Sequence, residues 1–312
     1  MDMRSRYIVV ILMSAVVVAF ESVSLESALN IANIDLFLVS SMPSIVGGLI
    51  LMSTYPRGTV AFTRSLGRRG WLVMLSLCLI IAAGVLLWFD AVGRIGASKE
   101  AILGGGSSEV LFVIILSAVF LSERLSLLEG VGSVLIIVGV FVVLTDVDSL
   151  GLTLGLGEIE AIVSSFFLGT SVVVTTALLK THNLTPFTGV ELLISGIMVI
   201  TIGVAAGLVV LPEASAWLIL VLLGVFPAVG LLTYNAALPK IGASLTSVLF
   251  ALNGIFTVCV EVLILQLVPD ANLKLPQHVL LAVLGGLVAF VGVCLLNIRR
   301  TGEKGEYAPR LV

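Results

Sequence analysis

Charge is scarce in this chain. Only 11% of its 312 residues are Asp, Glu, Lys or Arg, whereas a soluble domain carries about 25%. That excludes a fold with water on every side. Histidine occurs twice, at His182 and His278, both next to loops. An intramembrane hydrolase built on a Ser/His or paired-Asp arrangement is therefore not expected. Cysteine occurs three times, as Cys78, Cys259 and Cys294, each inside an apolar run and in no zinc-site spacing. No Gly-x-x-x-x-Gly-Lys-Ser/Thr segment occurs, so a nucleotide-driven pump is excluded as well. The reading is not an enzyme, with no cofactor and no metal. A net charge of −3 gives no reason to expect nucleic acid.

What is present is apolar. Hydrophobic residues make up 59% of the chain, with mean hydropathy +1.23. A membrane-crossing helix needs roughly 20 mostly apolar residues. Ten such runs can be marked, at 7–28, 34–54, 70–89, 97–121, 127–145, 157–179, 187–210, 215–237, 242–267 and 276–297. The first run follows Arg4 and Arg6, as in a signal peptide, but no small-residue cleavage site follows it. With the N-terminus in the cytoplasm, 13 of the 16 Lys and Arg residues fall on inner segments, leaving Arg94, Lys99 and Lys274 outside. The positive-inside rule then puts both termini in the cytoplasm. An even number of crossings requires the same. The expected class is an all-α integral membrane protein of the plasma (inner) membrane, multi-pass, in contact with membrane lipids. A monomer and a homodimer are both compatible with the sequence.

The chain also repeats itself. Residues 86–98 (LLWFDAVGRIGAS) align with 232–244 (LTYNAALPKIGAS) at an offset of 146. Trp88 meets Tyr234, Arg94 meets Lys240, and Ile95–Ser98 meet Ile241–Ser244. A second match pairs Gly132 and Gly139 of the fifth run with Gly285 and Gly292 of the tenth, at an offset of 153. The extra residues fit the longer loop at 269–276. Five runs separate the copies, and an odd number of crossings inverts the second. The expected organisation is a first five-helix repeat over 1–150, an inverted one over 151–299 and a cytoplasmic tail over 300–312. In each pair the two glycines lie about two turns apart, which suits close helix packing.

Five plus five inverted helices resemble the drug/metabolite transporter superfamily, in particular its EamA-like branch. The resemblance is carried by Ala91 and Gly96-Ala-Ser98, by the tract Gly104-Gly-Gly-Ser-Ser-Glu109, by the exit Phe120-Leu-Ser-Glu123-Arg124, and by the Gly/Val run 130–140. Val110 stands where the family often has Pro. The resemblance implies a central cavity lined by runs 1–4 and 6–9, with runs 5 and 10 peripheral and runs 4 and 9 as gates. The residues agree with mobile gates: Gly104, Gly105 and Gly106 weaken run 4, and Gly254 weakens run 9. Close packing explains the same glycines equally well.

Carboxylates inside the runs are Glu21, Glu26, Glu109, Glu191 and Glu261. A charge at mid-bilayer costs on the order of 3 kcal/mol even on lenient scales. Glu21 and Glu109 lie nearest mid-run and are the candidates for substrate binding and proton coupling. The alternative for Glu109 is a structural hydrogen bond. Glu26 and Glu191 are expected to reach headgroups or water, and Glu261 the cavity mouth. Glu158 and Glu160 open run 6, where acids complement the helix dipole, and Asp35 is a similar helix-start residue. Further polar candidates are Ser107, Ser108, Asn253, Tyr234 and Asn235. Ser107 pairs with Asn253 under the repeat, near the pseudo-two-fold axis where such transporters bind substrate. Trp88 and Tyr234 read equally as interfacial anchors or stacking groups. Pro43 and Pro227 are expected to kink or break their helices. No Lys or Arg lies in mid-run, which disfavours phosphorylated substrates. The expected function is a secondary transporter for a small-molecule substrate (an amino acid, an amine, a drug or a related metabolite), working by alternating access. A channel or scaffold without saturable transport is the alternative.

Overall fold

The computed structural model describes residues 3–30, 32, 34–121, 127–146, 151–152, 154–268, 273–274 and 278–298. The expected tail 300–312, the Glu123-Arg124 exit and most of the 269–276 loop lie outside the described residues. The elements are helices α1 (Met3–Asn30), α2 (Leu36–Thr54), α3 (Pro56–Ser65), α4 (Arg68–Ile95), α5 (Ala97–Leu103), a π-helical turn (Gly104–Ser108), α6 (Glu109–Leu121), α7 (Leu127–Leu144), α8 (Leu156–Leu178), α9 (Leu184–Ala205), α10 (Ala214–Leu223), α11 (Val225–Ile241), α12 (Ala243–Phe250), α13 (Asn253–Leu267) and α14 (Val279–Ile298). A short antiparallel pair, Thr145–Asp146 with Gly151–Leu152, joins the halves. Helix is the natural state here because hydrocarbon offers the backbone no outside hydrogen-bond partner. Among the described residues seven helical stretches are long and apolar enough to cross a membrane: Arg6–Asn30, Leu36–Thr54, Arg68–Ile95, Leu156–Leu178, Leu184–Ala205, Ala216–Ile241 and Thr246–Leu267.

Local chemistry sets the breaks. Asp35 caps α2, its carboxylate accepting from the Phe37 and Leu38 amides at 2.9 and 3.2 Å. Pro56 occupies the first turn of α3, where a missing N–H costs nothing. Run 8 is broken at Gly224 into α10 and α11, three residues before Pro227, whereas Pro43 sits inside a continuous α2. The repeated Ile-Gly-Ala-Ser makes the same corner twice. Gly96 ends α4 and starts α5 at φ 86°, ψ 156°; Gly242 ends α11 and starts α12 at φ 85°, ψ 155°. Only glycine adopts that region readily.

Packing reveals the symmetry. α2 packs along α9 and α7 along α14, each an element against its own counterpart; α4 packs along α8, and α1 along α11. The last two pairings exchange under the repeat, as a two-fold axis requires. Counterparts run antiparallel. A methyl group at Gly139 would lie 2.5 Å from the Gly285 carbonyl oxygen, and one at Gly292 would lie 2.5 Å from that of Gly132. The glycines thus let α7 and α14 touch backbone to backbone. Their outer faces carry exposed apolar side chains such as Val134, Val291 and Leu280, suited to lipid. Inside, Ser14 of α1 donates to the Gly230 carbonyl of α11 at 2.7 Å, a buried polar tie.

Candidate functional site

A cavity of about 170 Å3 lies at the centre, walled by α1, α2, α4, α8, α9 and α11 and crossed by the two interrupted helices α5–α6 and α12–α13. These interruptions sit at equivalent places but differ in kind. The glycine tract widens the first helix into a π turn, and the Ser107 hydroxyl donates to the carbonyl of Ile102, five residues back, at 2.7 Å. The second helix tightens: the Leu252 amide bonds to Leu249 O, and the Gly254 amide to Ala251 O. The two breaks touch, since a methyl at Gly106 would lie 3.3 Å from the Ala251 carbonyl oxygen, and one at Gly254 3.0 Å from Ile102.

Among the described residues four carboxyls line the cavity, from Glu21 of α1, Glu100 of α5, Glu109 of α6 and Glu191 of α9, and no Lys, Arg or His lines it. Glu100 Oε2 accepts from Trp88 Nε1 at 2.7 Å. Glu191 Oε1 accepts from Thr175 at 3.1 Å, and its Oε2 from Asn235 Nδ2 at 3.0 Å. Asn235 also donates to Thr188 Oγ1 at 3.1 Å. Tyr234 lies 3.3 Å from Ser247 Oγ, so Trp88 and Tyr234 each reach from the end of one helix into the first turns of the next. Asn253 lines the cavity, and its side-chain oxygen pairs with Thr257 at 3.3 Å. Among the described residues no three His, Cys, Asp or Glu side chains converge to hold a metal ion.

Of the residues singled out in the sequence, Glu21, Glu109, Trp88, Tyr234, Asn235 and Asn253 line the cavity, as does Gly105. Ser107 and Ser108 are buried but are not among its lining residues, and Gly105 takes the place beside Asn253 that pairing gave to Ser107. Gly104 is needed for space, because a methyl there would overlap the Glu100 carboxyl. Three readings are corrected, one of them Glu261, which is fully buried against Ser98 and does not line the cavity at whose mouth it was expected. Glu191 reaches no headgroup: it is 2% exposed, with both oxygens engaged. Its place was signalled by the polar stripe Thr188, Glu191, Ser195 on one face of α9. Glu26 is likewise fully buried rather than at the surface. Glu100 was not singled out at all, lying only three residues into its run.

Glu26 and Glu261 together close the Gly96 end of the molecule. Glu26 accepts from the amides of Ala97, at 2.8 Å, and Lys274, at 2.5 Å. Glu261 accepts from the Ser98 amide at 2.9 Å and from the Ser98 hydroxyl. The free amides at the start of α5 are thus capped by carboxylates from α1 and α13, one from each repeat. Ion pairs surround this latch: Lys99–Glu158 at 2.6 Å, and Arg94 with Asp90 and Glu160 at 3.0 Å each. At the Gly242 end the packing is apolar, with Phe62 of α3 edge-on to Phe187 and His182.

A helical bundle with a central, carboxyl-bearing cavity between two like halves has the form of a membrane transporter. The family model of the EamA-like transporter family matches it twice, over residues 5–145 and 155–298. The chain belongs to that family, whose members are multi-pass membrane transporters of small solutes. A solved structure titled only "Crystal structure of protein" has the same fold, with a TM-score of 0.65 at 16% identity over 97% of this chain and 100% of that one. No curated protein matches the sequence significantly.

Proposed function

We propose that this chain is a secondary transporter that moves a small organic solute bearing an ammonium group across the plasma (inner) membrane by alternating access. The observation that carries the reading is the lining of the cavity: four carboxyls and no cationic side chain. An anionic solute would meet like charge there, and an ammonium group would meet its counter-ion. Glu21 and Glu109 take part in substrate binding and in proton coupling. The interrupted helices α5–α6 and α12–α13 act as the gates, pivoting at Gly96 and Gly242. Ten crossings make up the chain, with α5–α6, α7 and α14 completing the seven long spans. They form repeats over 1–150 and 151–299, with both termini and the 300–312 tail in the cytoplasm.

Purified protein in liposomes is expected to show saturable exchange of amines and amino acids. Flux without saturation across a panel of both would overturn the proposal and leave a channel or scaffold.

A further inference from the structure

This inference rests on the transporter reading and concerns what the cavity holds. Its four carboxyls are not equivalent. Glu100 is engaged by Trp88, and Glu191 by Thr175 and Asn235. Glu21 and Glu109 are 5% and 7% exposed, and among the described residues neither has a hydrogen-bond partner. Both face the cavity. They also occupy different places in it. Glu21 belongs to α1 and Glu109 to the first turn of α6. The rest of the wall is largely aliphatic and aromatic, with Val18, Ile81, Val85, Leu168, Val172 and Phe250.

A carboxylate that faces the cavity without a protein partner gains from a cationic one, and an ammonium group that meets one of the two leaves the other to a second cation or a proton. A single ammonium group therefore completes half of this site. We propose that the ligand is a short organic dication, a linear diamine whose two ammonium groups are taken separately by Glu21 and Glu109 while its methylene chain lies against the apolar wall. Alkyl diamines carry both charges at neutral pH, since their amines resemble that of lysine. Tyr234 and Trp88 add aromatic side chains to the lining, whose rings attract cations. At about 170 Å3 the cavity is below the range for drug-sized ligands, which favours a short diamine over long polyamines and bulky aromatic dications.

The test is calorimetric titration of the full-length protein in nanodiscs with putrescine and cadaverine, against butylamine and pentylamine of the same chain lengths. The diamines are expected to bind about tenfold tighter or more, the value of one additional charge-assisted hydrogen bond. Glu21→Gln and Glu109→Gln should each bring the ratio close to one while butylamine still binds, which shows that the variant is folded. Equal affinities for diamine and monoamine in the unaltered protein overturn the proposal without any variant, as does a ratio that survives both substitutions. Parallel uptake of labelled putrescine into liposomes separates the two readings. A diamine preference without flux retains the dication site and removes the transporter reading. Saturable flux of other solutes with no diamine preference does the reverse.

Discussion

At Gly96 a methyl group has nowhere to go. It would overlap the Lys274 carbonyl oxygen, whereas at Gly242 nothing stands within 4 Å. Both glycines share a backbone conformation that costs other residues about 1–3 kcal/mol. Gly96→Ala and Gly242→Ala therefore carry the same backbone cost, and only the first adds a clash. The melting temperature in detergent should fall for both and clearly further for Gly96→Ala; equal losses would mean that the Lys274 contact is dispensable. Residue-level legibility varied with what decides each role. Glu21 and Glu109 stood out because hydrocarbon penalises a carboxyl in mid-run unless a polar cavity receives it. Glu191 did not, because depth along a run was counted from a helix start placed at 187, whereas α9 begins at Leu184. Glu100 did not because it lies near the start of its run, nine positions before Glu109. In a regular α-helix that is two and a half turns, which puts the two on opposite faces. The π turn between them changes the phase, and both line one cavity.

That turn is the most informative single element. A π turn holds its hydrogen bonds five residues apart rather than four, so it accommodates one residue more than the α-helix it interrupts. Removing one residue from the glycine tract should let α5 and α6 keep their positions while the turn tightens to α geometry. Deletion of Gly105 is thus expected to give a folded, monodisperse protein with a melting temperature close to the original and greatly reduced liposome flux. Undiminished flux would show that the wide turn has no part in transport. The sequence announced a weak point here through three consecutive glycines, but not its form. Widening in one helix and tightening in its counterpart depend on how the two breaks meet, where Gly106 faces the Ala251 carbonyl. The amphipathic α3 escaped notice for a related reason. Its ten residues are too few to register as a run, and its burial depends on Thr59 and Phe62 finding the end of the bundle.

At the scale of the molecule, the helical class and the two-repeat organisation were legible, because length, apolarity and internal similarity are properties of the sequence itself. The glycine pairs predicted close packing, and α7 meets α14 at those residues. The orientation rests on the distribution of Lys and Arg. Green fluorescent protein fused to the C-terminus should fluoresce and alkaline phosphatase fused there should be inactive in a bacterial host; the opposite pattern would reverse the topology. The symmetry stops at the latch. Glu26 and Glu261 bind the start of α5, but the positions equivalent to them under the 146-residue repeat are Val172 and Ile115, and among the described residues the start of α12 has no such pair of carboxylates. Two halves with the same latch at both ends would rest equally in either orientation. The hydrogen bonds accepted by Glu26 and Glu261 thus tie the molecule together at the Gly96 end, while the Gly242 end is packed through apolar side chains. On the proposed alternating-access reading, opening the Gly96 end breaks polar ties, whereas opening the Gly242 end parts apolar surfaces.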